Sequence, residues 1–386
     1  MARKPQVEKT EHKIFFDIDS TSIGGMAVRY DYSDASVVIN KREIFSMRKN
    51  ITNGNEYPFE RFFDQTLATL KYVAEEIHLR ALVPIDSIHI NIGTPWESSQ
   101  KRIITQSKKK PFTITQEITD ELIERDSKYP LSKNVTYSKH DVEVINRSTI
   151  DIYINGYPTR KPIGKEAREI EIHSLASVMS SSTKKSISDV IAGIFHTEAH
   201  FHPNTFVNYQ SVRLFTPDVN SAIVLDISGE VTSVLVIHDD HLIHNGSFPV
   251  GANHILRGLR DALHVPMAKA YSLVRMHTDG ALDDQYQKDI QSSLNTVFRT
   301  WFKSLYNLLD TYAKKGLLPH TVVLKSHNDT IEWMRIQLLQ QEQLNEHIHS
   351  NQSIEMIIMK DVYPDTNIFS DAELGIASDI ITLLHD

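Results

Sequence analysis

Phe15 to Phe45 reads FFDIDSTSIGGMAVRYDYSDASVVINKREIF, and Ala222 to Val250 reads AIVLDISGEVTSVLVIHDDHLIHNGSFPV. Each stretch opens with an apolar strand ending in Asp-Ile, at Asp17-Ile18 and again at Asp226-Ile227. A short Gly/Ser/Thr turn follows, then a second strand, a polar turn and a third strand. A unit repeated at this distance marks a protein of two similar lobes facing each other across a cleft. In such a unit, hydroxyls and backbone N–H groups at the hairpin tips can cradle phosphates. The strand-end aspartate then stands close enough to hold a hydrated magnesium ion.

Composition narrows the classes around this unit. The chain has 386 residues, 40% of them hydrophobic, enough for one large bilobal domain or two to three smaller ones. A net charge of −8 argues against a nucleic-acid surface built on overall field. With no cysteine, disulfides, thiolate metal sites and a cysteine nucleophile are excluded. The first thirteen residues are polar and do not read as a secretory signal, and no apolar run is long enough to span a bilayer. A soluble, cytoplasmic protein is expected.

Outward from the first unit, Phe59, Phe62, Phe63, Leu67, Leu70, Val73 and Ile77 recur at helical spacing, so a helix should lie on the first sheet. Pro84 opens an alternating strand, and the chain then enters a polar stretch with a basic run, Lys108 to Lys110, and an acidic helix after Thr115. Asn155-Gly156 and Pro162-Ile163-Gly164 read as tight turns, with Glu171 and His173 on a returning strand. A helix is expected from about Ser180 and a hinge between Pro203 and Pro217. Beyond the second unit come a helix at 252–263 and a long one at 285–315, stopped by Gly316 and Pro319. A strand at 320–329, a helix at 330–348, a further strand and a final helix from Asp371 complete the reading.

This arrangement resembles the actin-like ATPases, and within them the bacterial cell-division protein FtsA and its relative, the pilus-assembly protein PilM. The carrying motifs are Asp17 to Ser22, Asp226 to Thr232, and the turn Pro249-Val250-Gly251-Ala252-Asn253. The stretch Ile154 to Ser177 is similar to the second half of the SHS2 module inserted in that family. The implied fold class is α/β, an actin-like (ribonuclease H-like) duplicated bilobal fold with an inserted α+β subdomain. Residues 1–83 would begin the first lobe, 84–178 form the insertion, 179–205 return to the first lobe, and 206–386 make the second, with a helical subdomain near 256–318.

The resemblance also implies nucleotide-contacting positions. They are Asp17, Ser20, Thr21 and Ser22 in the first loop, and Asp226, Gly229 and Thr232 in the second. Gly251 follows at the next turn, with Ser326 and Asn328 in a third loop. Asp17 and Asp226 would hold magnesium where ATP binds. All three loops depart from the family pattern. Asp19 and Glu230 replace glycines, no lysine stands in the first loop, and Lys325-Ser326-His327-Asn328 replaces a glycine-rich run. Two like charges 4 Å apart repel by about 4 kcal/mol at an effective dielectric near 20. That is half of the roughly 8 kcal/mol that micromolar affinity represents. ATP and magnesium are therefore expected to bind weakly or not at all, and no general base for hydrolysis stands out. The alternative reading has Asp17 and Asp226 capping strand ends in a degenerate fold.

The first reading is an FtsA-like cytoplasmic adaptor in bacterial cell division, which would bind the tail of the tubulin-like protein FtsZ and self-associate, with two alternatives. A PilM-like scaffold would bind a cytoplasmic peptide of a pilus inner-membrane protein. An active ATPase or small-molecule kinase is the third reading. His238, His241 and His244, and His196, His200 and His202, are read as turn and surface residues rather than metal ligands. Trp301, Phe302 and Tyr306 are read as core, with a partner groove as the alternative, and Lys108 to Lys110 as a solvated loop. The terminal LGIASDIITLLHD lacks a basic face, so the chain is expected to reach a membrane only through a partner.

Overall fold

A computed structural model describes residues 9–34, 37–51, 59–127, 141–326, 330–348 and 353–362. The chain opens with β1 (Lys9–Ile18), β2 (Ser22–Asp34) and β3 (Val37–Asn50), a meander whose β1 side chains bury progressively toward Ile18. Helix α1 (Phe59–Ala81) covers it with Phe62, Leu70, Val73, Ala74 and Ile77, one stripe at helical spacing. It lies so close that a Cβ on Gly25 would stand 2.3 Å from Ile77 Cδ1, so glycine is what lets the helix seat. Strand β4 (Ser87–Ile92) then pairs in parallel with β1.

From here the chain leaves the first sheet. Strand β5 (Glu97–Thr113), α2 (Gln116–Ser127), β6 (Val142–Ile154), β7 (Tyr157–Pro158) and β8 (Glu166–Ser180) make a separate sheet in the order β5-β8-β6-β7. Helix α2 closes one face over Ile104, Ile154, Ile170 and Ile172. Its buried Asp126 is clamped by Arg102, at 2.6 Å, and by Arg147. Helix α3 (Ser181–Phe195) returns to α1, and β9 (Ala199–Pro203) joins β4, completing a sheet of order β3-β2-β1-β4-β9.

After α4 (Asn204–Phe215) the plan repeats. Strands β10 (Ala222–Ile227), β11 (Thr232–His238) and β12 (His241–Phe248) form the second meander. Helices α5 (Ala252–Leu263), α6 (Met267–Thr278) and α7 (Asp284–Ala313) follow. Then come β13 (Thr321–Lys325), α8 (Ile331–Leu339), α9 (Glu342–His347), β14 (Glu355–Ile358) and α10 (Met359–Val362). The sheet order β12-β11-β10-β13-β14 matches the first sheet strand for strand, antiparallel and parallel pairs included. Trp301, Phe298, Phe302 and Trp333 centre the second core. Each such fully buried side chain stabilises by roughly 1.5–3 kcal/mol.

Three local expectations are revised. The inserted sheet begins at Glu97 rather than at 84, because Ser87 to Ile92 finds its partner in β1. The helix expected over 330–348 is two helices, broken at Gln340 and Gln341. Lys108 to Lys110 lie within β5, at a shift of register between Ser107 and Phe112, rather than in a loop. The helix expected from Asp371 lies outside the described residues.

The inserted sheet also rests on the second lobe. Lys101 Nζ donates to the carbonyl of Leu242 at 2.7 Å, and Asn245 Nδ2 to that of Ser99 at 2.7 Å. His241 Nδ1 lies 2.6 Å from Asp151 Oδ1. Leu175 of β8 joins Phe206 and Tyr209 of α4 in one apolar cluster.

Candidate functional site between the lobes

The ends of β1 and β10 bring Asp17 and Asp226 to the walls of one small cavity. Register supplies their neighbours. Asn91 of β4 stands opposite Asp17 and donates to its Oδ1 at 3.1 Å. From β3, Arg48 Nη2 donates to Asp17 Oδ2 at 2.7 Å, and its Nη1 to Ser22 Oγ at 2.9 Å. In the second lobe, α4 enters directly behind Pro203 and aims Asn204 and Asn208 at Asp226 Oδ2, the latter at 2.7 Å. Lys325, next to Asp226 on β13, donates to Asn208 Oδ1 at 2.8 Å. Asn91 Nδ2 also reaches Asn204 Oδ1 at 3.2 Å, so two amides link the carboxylates of the two lobes.

Above this relay the two hairpin loops bond directly to each other. The Asp19 carboxylate accepts from the backbone N–H of Ser20, from that of Thr21 at 3.3 Å, and from the Ser228 hydroxyl across the cleft. Ser20 Oγ lies 2.5 Å from Ser228 Oγ and accepts from the Glu230 N–H at 2.9 Å. Thr94 and Ser233 hydroxyls meet at 3.2 Å. A Cβ on Gly229 would stand 2.8 Å from Thr21 Oγ1 and 2.9 Å from the Ser20 carbonyl. The space left among Asp17, Asp19, Thr94, Asn204, Asp226 and Ser228 is about 10 Å³. That is room for one water molecule.

Glu230 is engaged sideways. Arg257 of α5 grips it with two bonds of 2.8 Å, and Asn253 adds one of 3.0 Å. Burial pushes the Glu230 carboxyl up, but Arg257 and Asn253 outweigh it and hold it below the usual carboxylate range. The expectation that this carboxylate stands uncompensated is therefore corrected. Its cation comes from the helix 27 residues downstream, not from the loop.

The positions read from sequence separate into two groups. Asp17, Asp19, Ser20, Thr21, Ser22, Asp226 and Gly229 gather at the loops. Gly251 sits against the second loop, where a Cβ would be 2.4 Å from the Ser228 carbonyl. Thr232 instead turns into the core of the second lobe, donating to the Val250 carbonyl and accepting from Trp301 Nε1 at 2.9 Å. Ser326 donates to the Ile227 carbonyl at 2.7 Å, bracing the end of β10. Asn328 lies outside the described residues. Arg48, Asn91, Asn204, Asn208 and Arg257 were not singled out by sequence. Arg257 did carry a signal, lying one helical turn beyond Asn253 of the turn motif.

Three histidines gather on the first sheet, and His202 among them is half-buried rather than at the surface as expected. His200 and His202 of β9 lie against His89 of β4, with ring centroids 5.4 and 5.2 Å away. Burial is the main cause that depresses His89 to about 3 and His202 to about 4. His244 stacks flat on Tyr312, and His196 ends α3 in a left-handed conformation. Among the described residues, no three histidines or carboxylates converge in a way that could hold a metal ion. A second concavity, of about 500 Å³, lies between α7 and the α8–α9 break. Arg299, Phe302, Lys303 and Tyr306 form one wall, and Gln340 to Gln343 the other. Trp301 and Phe302 are core, as expected, while Tyr306 is half-buried at this opening.

Two sheets of the same mixed order, meeting at paired strand-end aspartates, define the actin-like ATPase fold. The solved PilM–PilN type IV pilus biogenesis complex is similar over 97% of this chain and 96% of its own, at 11% identity and a TM-score of 0.62. The ethanolamine utilization protein EutJ from Carboxydothermus hydrogenoformans is similar over 99% and 92%, at 10% identity and a TM-score of 0.45. A Bacteroides thetaiotaomicron protein with an actin-like ATPase fold and unknown function covers 97% and 96%, at 11% identity and a TM-score of 0.40. No family model matches the sequence, and no curated protein matches it.

Proposed function

We propose that this protein is a non-catalytic actin-like scaffold that docks a short peptide of a partner. The observation that carries this reading is the direct bonding of the two hairpin loops through Asp19, Ser20 and Ser228. A nucleotide in this fold would have to part those loops. Magnesium triphosphate does not fit a space of about 10 Å³ whose carboxylates already accept from Arg48, Asn91, Asn204 and Asn208. Octahedral hydrated magnesium alone needs several water positions. ATP binding is thus weak or absent, and the active ATPase or kinase reading is set aside.

The groove beside α7 suits the docking role. Arg299 and Lys303 are exposed at its rim, while Phe302 and Tyr306 offer aromatic surface. That chemistry fits a peptide with an apolar anchor beside a carboxylate. Of the two partner classes, a pilus inner-membrane protein is favoured over an FtsZ-like tail, because one similar solved structure is a PilM–PilN complex. The membrane-protein partner would also bring the chain to the inner face of a membrane. Division-type self-association belongs to the second reading, while an SHS2 identity for the inserted sheet is compatible with both.

Calorimetry with ATP and magnesium should give no binding at micromolar concentrations. Labelled cytoplasmic peptides of pilus inner-membrane proteins should bind the full chain, and Arg299→Ala with Lys303→Ala should weaken them. Micromolar ATP affinity would overturn the non-catalytic reading. Binding of an FtsZ tail alone would move the protein to division, and failure of both peptides would end the docking reading.

A further inference from the structure

At the side opposite its connections to the first lobe, the inserted sheet ends in a surface unlike the rest of the molecule. The register brings Phe112 and Thr113 of β5 beside Ala167 and Glu166 of β8, and Ile154 of β6 beside Ile170. The crossing segment after β7 is tied down at the same end, since Gly164 N–H donates to the Ile114 carbonyl at 2.8 Å. Segments 105–116 and 155–168 are therefore neighbours. Together they carry seven cations, the run Lys108 to Lys110 with Arg160, Lys161, Lys165 and Arg168, against a single carboxylate, Glu166. Glu117 and Glu169 come next at the margins. In a chain of net charge −8, this is a local field of opposite sign.

All seven cations are exposed, and none forms an ion pair among the described residues. Two apolar side chains stand out beside them. Tyr157 is 77% exposed and Ile163 is 48% exposed. Tyr157 opens β7 directly after the turn at Gly156, and Ile163 lies in the turn at Gly164; both glycines have a φ of +83°. A Cβ at either glycine would meet nothing within 4 Å, so the space around both turns is open. Beneath them Ile114, Ile154, Ala167 and Ile170 are buried, which makes the platform stiff.

We propose that this end of the inserted sheet is a contact surface for an anionic phospholipid membrane. An exposed tyrosine beside one turn and an exposed isoleucine in the other can enter the headgroup region, where the amphipathic phenol ring is favoured. Around them the lysines and arginines meet lipid phosphates and carboxylates from an open face, with no groove needed. An acidic peptide would instead seek a cleft, and both turns face open space. The inference is independent of the docking reading, because neither the cleft nor the α7 groove contributes to it. It also amends the expectation that membrane contact comes only through a partner.

Each lysine or arginine near an anionic leaflet strengthens binding roughly fivefold, and the effect fades beyond a Debye length. The test is co-sedimentation of the full chain with vesicles of phosphatidylserine and phosphatidylcholine. Binding is expected at about 50 mM salt and should be lost at about 500 mM. Replacing the run by Lys108→Gln, Lys109→Gln and Lys110→Gln should weaken it about a hundredfold, with an unchanged circular dichroism spectrum. Tyr157→Ser, read separately, should weaken it without changing the salt dependence. Equal binding to pure phosphatidylcholine, an unaffected triple variant, or no binding to the anionic vesicles would each overturn the proposal. Capture by soluble polyglutamate without vesicle binding would reassign the surface to an acidic protein and overturn it as well.

Discussion

Glu97 begins β5 at the joint where the inserted sheet leaves the first lobe, and it is only 3% exposed. Its Oε1 accepts from the Thr205 hydroxyl at 2.8 Å and its Oε2 from the Ser99 hydroxyl at 2.8 Å. Burial raises its pKa from 4.5 to about 7, with the Ser99 and Thr205 bonds pulling the other way. A carboxyl raised on folding contributes stability that is fully present below its unfolded value and lost as pH climbs through its folded value. At 1.36 kcal/mol for each pH step between those two values, the loss is about 3 kcal/mol between pH 4.5 and 8. Glu97→Gln keeps the shape, and its amide can still pair with both hydroxyls while carrying no charge. Urea unfolding of both proteins at pH 5, 6.5 and 8 isolates the effect, since other titrations cancel in the difference. The variant should gain on the wild type by about 2–3 kcal/mol between pH 5 and pH 8. A stability difference that does not change with pH would refute the assignment.

Ser228→Ala removes the hydroxyl that serves both Asp19 and Ser20, and should cost about 1–3 kcal/mol in urea unfolding; an unchanged midpoint would show that the loops do not depend on it. Gly251→Ala places a Cβ 2.4 Å from one backbone oxygen and 2.5 Å from another. It should lower stability by at least about 2 kcal/mol in a thermal melt, and a neutral result would contradict the close loop contact. Arg257→Ala should destabilise by a few kcal/mol, because Glu230 keeps its charge in a half-buried place. Adding Glu230→Gln should recover part of that loss, and additive costs in the double variant would mean that the pair is not coupled.

The duplicated lobes were legible because each rests on a local pattern: an apolar strand, Asp-Ile, a small-residue turn, and then strands of fixed spacing. Asp17, Ser20 and Asp226 could be picked out for the same reason. Arg48, Asn91 and Asn204 could not, since they reach the site through strand register and through the way α4 follows Pro203. Thr232 illustrates the converse. Its motif position suggested the cleft, but the indole N–H of Trp301, buried in the second core, needed an acceptor and took its hydroxyl. Counting charges along the sequence likewise placed Asp19 and Glu230 side by side as repelling neighbours. In three dimensions one accepts from a hydroxyl of the facing lobe and the other from an arginine on a helix.

The bonds from β5 and β6 to β12 tie the inserted sheet to the second lobe, while its chain connections tie it to the first. Each of the three bodies thus braces the other two, as the members of a truss do. A hinge motion that opened the lobes would have to shear Lys101 from Leu242, Asn245 from Ser99 and His241 from Asp151 as well as unzip the loops. The mechanical result is a triangulated frame, in which parting the lobes costs three contacts at a second corner, about 0.5–1.5 kcal/mol each, beyond those of the loops.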